Sequence, residues 1–187
     1  MTLGFIRFRM KLMLTNKVSG ADNQQERLKT VGWVVGFIDG EGCFSVSLHK
    51  NPTTRLGWQI MPEFVATQGQ KSLKSLEKLQ SFFGCGRIFV NHRYDNHNEN
   101  LYRFCIRSFT DLKEKIVPFF KENKLQTAKS QDFEIFAKII NLMSKKEHLS
   151  ERGIRKIINL AKTMNTKKRK QHFENPQTLI RQTLAQS

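Results

Sequence analysis

Two acidic residues, Asp39 and Glu41, lie at the end of a glycine-rich segment, where a carboxylate is an oxygen ligand of the kind that divalent cations such as Mg²⁺ prefer. Gly32, Gly36 and Gly40 recur every four residues in that segment, so on a helix they form a stripe without side chains. Such a stripe lets a second helix approach backbone to backbone. If two copies of this helix pair, their Glu41 carboxylates meet near the symmetry axis, where paired oxygen ligands suit Mg²⁺. The pattern predicts a homodimer with a shared magnesium site, and its predicted interface comprises Gly32, Val35, Gly36 and Asp39.

A glycine-rich phosphate loop is the competing interpretation of the same segment. A dinucleotide fingerprint requires G-x-G-x-x-G, and a P-loop requires a lysine and a hydroxyl residue after its last glycine. Here the spacing is G-x-x-x-G-x-x-x-G-x-G, no lysine follows, and two acidic residues occupy the place where a phosphate would bind. The spacing therefore disfavours nucleotide binding.

The nine residues Val34–Gly42, with the sequence VVGFIDGEG, resemble the signature motif of LAGLIDADG homing endonucleases. Three further segments resemble the family in order and at suitable spacing, namely Phe64–Gln68, Phe83–Ile88 and Leu125–Phe133. The resemblance covers about residues 25–145. It implies an α+β protein with the αββαββα homing-endonuclease fold, in which a saddle-shaped, four-stranded antiparallel sheet has helices on one face. Additional helices are expected on the C-terminal side of this core.

The resemblance also implies roles for individual residues. Glu41 matches the metal-binding acid, and the carbonyl of Gly40 matches its backbone neighbour in the metal site. Gln68 and Lys129 match the polar residues that surround the attacking water. Family members with one copy of the motif act as homodimers, and this sequence shows the motif once. The implied catalytic residues are therefore Glu41, Gln68 and Lys129, with Mg²⁺ as the cofactor.

The activity that the resemblance implies is cleavage of both strands of duplex DNA across the minor groove. The expected site is long and nearly palindromic, and the expected products have short 3′ overhangs. Such enzymes are typically encoded within introns and spread them by cutting intronless alleles. Two alternatives stay open, a maturase that binds the intron RNA and a cleavage-inactive DNA-binding protein of the same fold.

The periodicity of apolar residues predicts the elements that position these groups. Helices are predicted over Asn23–Asp39 with Asp22 or Asn23 as N-cap, Ser72–Phe83, Thr110–Phe120, Ser130–Met143 and Ser150–Met164. Strands are predicted over Cys43–His49, Trp58–Thr67, Arg87–Asn91 and Leu101–Arg107. Because hairpins join neighbouring strands, the sheet is expected to be antiparallel with its helices on one face.

Alternation along the strands predicts a polar face on the side of the sheet without helices. Hydroxyl, amide and charged side chains in rows are the groups that read base edges in DNA. Val65 and Phe89 add apolar groups to this face, which suit thymine methyls or fewer direct contacts. The predicted DNA-binding residues are Ser45, Ser47, His49, Gln59, Glu63, Arg87, Asn91, Arg93 and Arg103.

The charge balance favours a polyanionic partner. The chain has 187 residues, with 32 Lys and Arg against 16 Asp and Glu and a formal net charge of +16. Residues 144–187 contain 11 of the basic residues and three of the acidic ones, which is half of the net charge. The predicted division is an N-terminal extension over residues 1–22, the endonuclease core over 23–145 and a basic helical region over 146–187.

Cysteine usage and hydropathy bear on the compartment. Cys43, Cys85 and Cys105 show no C-x-x-C spacing, which fits a reducing compartment and neither a disulfide framework nor a zinc cluster. No apolar run approaches the roughly 20 residues that span a bilayer, so no membrane partner is expected. The first 14 residues are basic and acid-free, as in an organellar targeting segment or a loosely ordered extension. The expected location is intracellular, open between chloroplast, mitochondrion and bacterial cytoplasm.

Overall fold

The computed structural model describes residues 20–92 and 99–165. Its helices are α1 (Gly20–Glu41), α2 (Leu73–Phe83), α3 (Phe109–Asp111), α4 (Val117–Glu122), α5 (Lys129–Ser144) and α6 (Glu151–Lys162). Its strands are β1 (Gly42–Lys50), β2 (Trp58–Gly69), β3 (Arg87–Asn91) and β4 (Leu101–Ile106). This order confirms the predicted α+β succession of helices and strands. Arg93 and the predicted N-terminal extension up to residue 19 lie outside the described residues.

Helix α1 begins earlier than the sequence pattern predicts. It starts at Gly20, so the predicted N-cap at Asp22 or Asn23 is wrong, and both residues lie inside the helix. Asp22 nevertheless lies in the first turn, where its negative charge interacts favourably with the positive end of the helix dipole.

The C-terminal end of α1 runs into β1 without a connecting loop. The helix ends at Glu41, two residues beyond the predicted end at Asp39, and β1 begins at Gly42. A Cβ atom on Gly42 would lie 2.5 Å from Cγ2 and 2.8 Å from the carbonyl oxygen of Ile38. Because only glycine avoids this contact, the direct change from helix to strand depends on Gly42. This direct junction holds Glu41 at the end of α1, immediately before the first residue of β1.

The four strands form one antiparallel sheet in the order β1-β2-β4-β3. Strand β2 lies in the middle and pairs with β1 from Gly42 opposite Ala66 to Lys50 opposite Trp58. Its second half pairs with β4, and β4 pairs with β3 on its other side. The helices cover one face of this sheet, as predicted.

Phenylalanine side chains fill the space between the sheet and the helices. Phe44 on β1 stacks on Phe64 of β2 with ring centroids 5.1 Å apart. It also contacts Phe120, Phe133 and Phe136 from the helices, at centroid distances of 5.2 to 5.5 Å. These rings are fully or nearly fully buried, so they join α4 and α5 to the first two strands.

The helical segment after β4 contains a wide turn that the periodicity did not predict. Between α3 and α4, residues Leu112–Ile116 form a π-helical turn in place of the continuous helix expected from Thr110 to Phe120. Pro118 follows in the first turn of α4. Since proline has no N–H group, it cannot donate to the carbonyl of Glu114, and a wider turn relieves the lost bond.

Helices α5 and α6 pack together behind β1. Ile154, Ile157 and Ile158 of α6 belong to the same buried cluster as the phenylalanines. Beyond α6, the side chain of Asn165 donates a 2.9 Å hydrogen bond to the carbonyl of Phe44. Residues 146–165 therefore pack on the core, while the predicted domain boundary stays a prediction. None of the helices described is both long and apolar enough to cross a bilayer.

Candidate functional site

The C-terminal end of α1 carries partial negative charge from its free carbonyl groups, and a lysine of the same chain binds two of these carbonyls. The last four carbonyl groups of a helix lack intrahelical donors, and the helix dipole is negative there. Lys129 donates from Nζ to the carbonyl of Ile38 at 3.0 Å and to that of Gly40 at 2.9 Å. One ammonium group thus binds two carbonyls of the motif helix.

Lys129 is the first residue of α5 and sits in a partly buried position. Burial lowers the pKa of its ammonium group, and the nearby Cys43 thiol and Asp39 and Glu41 carboxylates act in the opposite direction. The structure brings Lys129 to the motif, as the resemblance implies.

Asp39 fixes the position of α5 relative to α1. Its carboxylate accepts hydrogen bonds from the backbone N–H of Gln126 at 2.7 Å and of Thr127 at 3.2 Å. The Thr127 hydroxyl donates to the same carboxylate at 2.8 Å and accepts from the backbone N–H of Lys129 at 3.3 Å. Asp39 therefore acts within its own chain in this structure, and its predicted place at a dimer interface stays a prediction.

Glu41 and Gln68 lie at the same edge of the sheet. The Glu41 side chain is exposed, and Gln68 is half-buried near the end of β2. Because Gly42 pairs with Ala66, antiparallel register carries Gln68 two residues further, alongside the end of α1. Alternation gives Gln68 the helix side of β2, which is the side from which α1 arrives. The register therefore brings three of the four implied site residues, Glu41, Gly40 and Gln68, to one edge.

The donor set of one chain fits half of a divalent-metal site. Nowhere in residues 20–92 and 99–165 do three or more His, Cys, Asp or Glu side chains form a group that could hold a metal ion. One exposed carboxylate, Glu41, and one carbonyl, Gly40, are hard oxygen ligands of the kind that Mg²⁺ prefers. The set needs further oxygen ligands, which a second chain and a phosphate can supply.

Strand register places the predicted polar residues on the bare face of the sheet. Ser45 pairs with Glu63, and His49 pairs with Gln59, across β1 and β2. Ser47 and His49 contact each other at 3.0 Å between Oγ and Nε2. On the other side of β2, β4 and β3 contribute the remaining predicted side chains that the structure describes, Arg87, Asn91 and Arg103.

Sequence reasoning missed Arg107 on this face. Arg103 and Arg107 both bind the carboxylate of Glu63, to which the Cys105 thiol also donates at 3.2 Å. Arg107 follows β4 by one residue and continues the alternation of Arg103 and Cys105. The predicted strand Leu101–Arg107 included Arg107, so alternation with Arg103 was a usable signal for placing Arg107 on this face, although the structure ends β4 at Ile106.

The two apolar residues expected on the bare face differ in exposure. Val65 lies between Cys43 and Cys105 and is only 6% exposed, whereas Phe89 on the edge strand is 46% exposed. Phe89 is therefore available to a partner, and Val65 is largely covered by its neighbours.

The glycine stripe of α1 faces open space. A Cβ atom on Gly32, Gly36 or Gly40 would meet no other atom within 4 Å. Leu28, one turn before Gly32, is 63% exposed on the same line of the helix. Within the part of the chain that the structure describes, nothing packs on this stripe.

Comparison with known families gives a match over most of the folded region. Residues 34–140 match the family described as LAGLIDADG endonuclease. The match includes the C-terminal part of α1 that carries the motif, all four strands and most of α5.

Several solved structures resemble the chain. A homing endonuclease, I-TnaI, is 37% identical with a TM-score of 0.68, over 83% of this chain and 96% of that chain. I-SmaMI bound to cleaved DNA is 37% identical with a TM-score of 0.68, over 80% of this chain and 47% of that one. I-SmaMI is also described bound to an uncleaved DNA target in the presence of calcium ions, with a TM-score of 0.65 and 39% identity over 71% of this chain and 44% of that one.

Curated relatives are similar over part of their length. Probable intron-encoded endonuclease 3 of Neurospora crassa is 31% identical over 140 residues, which are 74% of this chain and 25% of the relative. DNA endonuclease I-CeuI of Chlamydomonas moewusii is 27% identical over 115 residues, or 62% of this chain and 51% of that protein. The chain thus spans about a quarter of the Neurospora relative. On the family match and these similarities, the chain belongs to the LAGLIDADG endonuclease family.

Proposed function

We propose that the protein is a site-specific endonuclease that hydrolyses phosphodiester bonds in both strands of duplex DNA with a divalent metal. One observation carries the proposal. The exposed Glu41 carboxylate lies at the end of α1, where the Lys129 ammonium group binds the carbonyl of the preceding residue, Gly40. The neighbouring bare face of the sheet carries exposed arginines.

Duplex DNA is the substrate that this surface suits. The chain carries a net charge of +16, which favours a polyanion. The bare face adds donors and acceptors at regular spacing, and base edges in the major groove are read by such groups. The similar protein I-SmaMI is described bound to DNA both before and after cleavage. This similarity supports DNA, and not RNA alone, as the molecule that is cut.

Glu41 and the carbonyl of Gly40 would hold the metal, and Mg²⁺ is the proposed ion. When bound, such an ion lowers the pKa of a bound water and neutralises charge on the phosphate. The calcium in the I-SmaMI complex supports a site for hard divalent cations, because Ca²⁺ and Mg²⁺ share a preference for oxygen ligands. A carbonyl oxygen has two lone pairs, so Gly40 can accept from Lys129 and still bind a cation.

Lys129 and Gln68 are the proposed partners of the reacting phosphate. A cation fixed before the reaction stabilises the charge that develops on the phosphorane-like transition state without further reorganisation. Lys129 is fixed in this way by two carbonyls of α1. The Gln68 amide can donate to and accept from a water molecule, which suits the orientation of the nucleophile.

The active form is proposed to be a homodimer. Gly32, Gly36 and Gly40 are exposed on α1, and Leu28 extends the same surface with an apolar side chain. Packing of two such stripes about a two-fold axis would bring two Glu41 carboxylates together. It would complete the half-set of metal ligands that one chain offers, and each copy would contact one arm of a nearly palindromic target.

The biological role we propose is intron homing, with cleavage across the minor groove and short 3′ overhangs. One relative, from Podospora anserina, is described as a protein in ND4 intron 1, and several others as intron-encoded endonucleases. Such a nuclease would act in the compartment whose genome contains the interrupted gene and its intronless alleles.

Selection for cleavage tests this proposal without knowledge of the target. Duplexes randomised over about two helical turns are incubated with the protein in Mg²⁺, and cut molecules are recovered and amplified. We expect one family of nearly palindromic sites with 3′ overhangs, and no cutting in EDTA. Failure to cut any duplex in Mg²⁺ or Mn²⁺ would contradict the nuclease and leave binding of DNA or intron RNA as the function.

A further inference from the structure

We propose that Glu63 does not read DNA bases and instead positions Arg103 and Arg107, which read guanine on the bare face of the sheet. This inference rests on the proposed DNA substrate. Glu63 lies near the middle of β2, and both guanidinium groups converge on its carboxylate. Arg103 bonds to Oε1, and Arg107 bonds to Oε2 through its Nε atom.

Glu63, Arg103 and Arg107 differ in solvent exposure, and this difference indicates which of them can reach a base. The Glu63 side chain is 12% exposed, whereas those of Arg103 and Arg107 are 40% and 53% exposed. The carboxylate therefore lies beneath the two guanidinium groups. A base in the groove would meet the arginines first, and Glu63 lies too deep to accept a hydrogen bond from cytosine.

Both oxygens of Glu63 are already engaged by its neighbours. Besides the arginines, the Cys105 thiol donates to Oε2 over 3.2 Å. Burial and the hydrogen bond to Glu63 raise the pKa of this thiol to about 11, so it remains a neutral donor near pH 7. Three donors thus fix the rotamer of the carboxylate, and the carboxylate fixes the two arginines.

The arginines keep donors for a ligand. Arg107 uses Nε for Glu63, and Arg103 uses one Nη group, so each guanidinium retains further N–H groups. Arginine pairs bidentately with O6 and N7 of guanine, which is the commonest specific contact in the major groove. Side chains that are ordered before binding lose less conformational entropy in the complex. Guanine at two positions of each arm is therefore the base that this arrangement recognises.

Electrostatics and positioning make opposite predictions for Glu63→Gln. Removal of a negative charge from a surface that meets phosphates should strengthen DNA binding through the Coulomb interaction alone. Loss of the positioning carboxylate should weaken binding to the preferred target, because the arginines must then be ordered during association. The sign of the change in affinity separates the two effects.

The experiment uses the full-length protein and the duplex that the wild type selects from a randomised library. We expect Glu63→Gln to weaken binding to that duplex about tenfold and to leave affinity for unrelated duplex unchanged or higher. Glu63→Asp keeps the negative charge but shortens the side chain by one methylene group, so the carboxylate moves away from the arginines. This variant should lose the same preference for the selected duplex. Glu77→Gln makes the same charge change on an exposed α2 residue and should have no effect on preference. Thermal melting of each variant shows that it is folded.

Repeated selection with single variants identifies the bases involved. The guanine positions that lose preference in Glu63→Gln should be those that lose it in Arg103→Ala or Arg107→Ala. In the Arg103→Ala/Arg107→Ala background, Glu63→Gln should change affinity less than about twofold. Unchanged or tighter binding by Glu63→Gln, or loss of preference for cytosine at positions neither arginine affects, would overturn the inference. A wild-type protein that selects no duplex would instead contradict the proposed function.

Discussion

Asp39 and Glu41 lie within one turn of α1, yet the structure gives them different environments. Asp39 accepts three hydrogen bonds from the segment that precedes α5, and Glu41 is exposed at the edge of the sheet. The partners of Asp39 lie 87 and 88 residues away in the sequence, so its contacts could not be predicted from the motif. Lys129 and Gly40, both named by the resemblance, form a 2.9 Å hydrogen bond, while their roles in the site stay predictions.

The pKa of Asp39 leads to a pH-dependent prediction. Burial alone would raise this pKa, but hydrogen bonds from Gln126 and Thr127 hold the pKa of the Asp39 carboxyl below its ordinary value. Because the folded-state pKa lies below the unfolded one, the carboxylate stabilises the fold above the unfolded pKa. This contribution is lost as the pH falls through the folded-state value.

We expect Asp39→Asn to lower the free energy of unfolding by about 1 kcal/mol at pH 7. The deficit should shrink as the pH falls below the ordinary pKa of an aspartate and through the lowered pKa of Asp39. Cleavage should fall more than binding, because α5 carries Lys129. Urea denaturation across this pH range measures the first effect, with Glu122→Gln at an exposed position of α4 as the control. An equal deficit at neutral and acidic pH would show that the charge of Asp39 is not responsible.

At the scale of elements, hydrophobic periodicity predicted the four strands and helices α1, α2, α5 and α6, but it predicted one continuous helix in place of α3 and α4 and did not predict the junctions. The change from α1 to β1 depends on a close approach at Gly42, and the π-helical turn before α4 depends on a missing donor at Pro118. Both features arise from local geometry that averaging over apolar positions does not register. The strands were predicted well because alternation reports the two faces of a sheet directly.

The turn between α2 and β3 offers a matched pair of glycines. Gly84 and Gly86 both have positive φ angles, of 58° and 87°. A Cβ on Gly84 would meet open space, whereas one on Gly86 would lie 2.6 Å from the Phe104 ring. We expect Gly84→Ala to cost about 1 kcal/mol of stability and Gly86→Ala about 3 kcal/mol. Equal losses in chemical denaturation would contradict the packing of Phe104 against this turn.

At the scale of the whole molecule, one chain presents a bare sheet face, an exposed glycine stripe and two exposed oxygen donors at the end of α1, the Glu41 carboxylate and the Gly40 carbonyl. A two-fold axis beside α1 would cover the glycine stripe with the same stripe of a second copy and would bring two Glu41 carboxylates together. The fold itself could be predicted from the resemblance. The proposed dimer could not be tested from the described residues, because the contacts of a dimer would lie between two copies.

Gly36→Leu tests the assembly. The side chain projects into open space in one chain, so the fold should be retained, but it should push two paired helices apart. We expect the dimer to dissociate at micromolar concentration and double-strand cleavage to be lost with it. Sedimentation velocity measures the first result, and Arg27→Leu, which is exposed on α1 on the side opposite Gly36, is the control. A wild-type monomer that cuts both strands would contradict the dimer and the shared metal site.

The most direct test of the whole account is a comparison of binding and cleavage by Glu41→Gln. The substitution keeps the size of the side chain and removes the charge that would hold the metal. We predict that affinity for the selected duplex stays within about tenfold of the wild type, while the rate of cleavage in Mg²⁺ falls by several orders of magnitude. A Glu41→Gln protein that cuts the duplex at the wild-type rate in Mg²⁺ would remove Glu41 from the site and contradict the proposed mechanism.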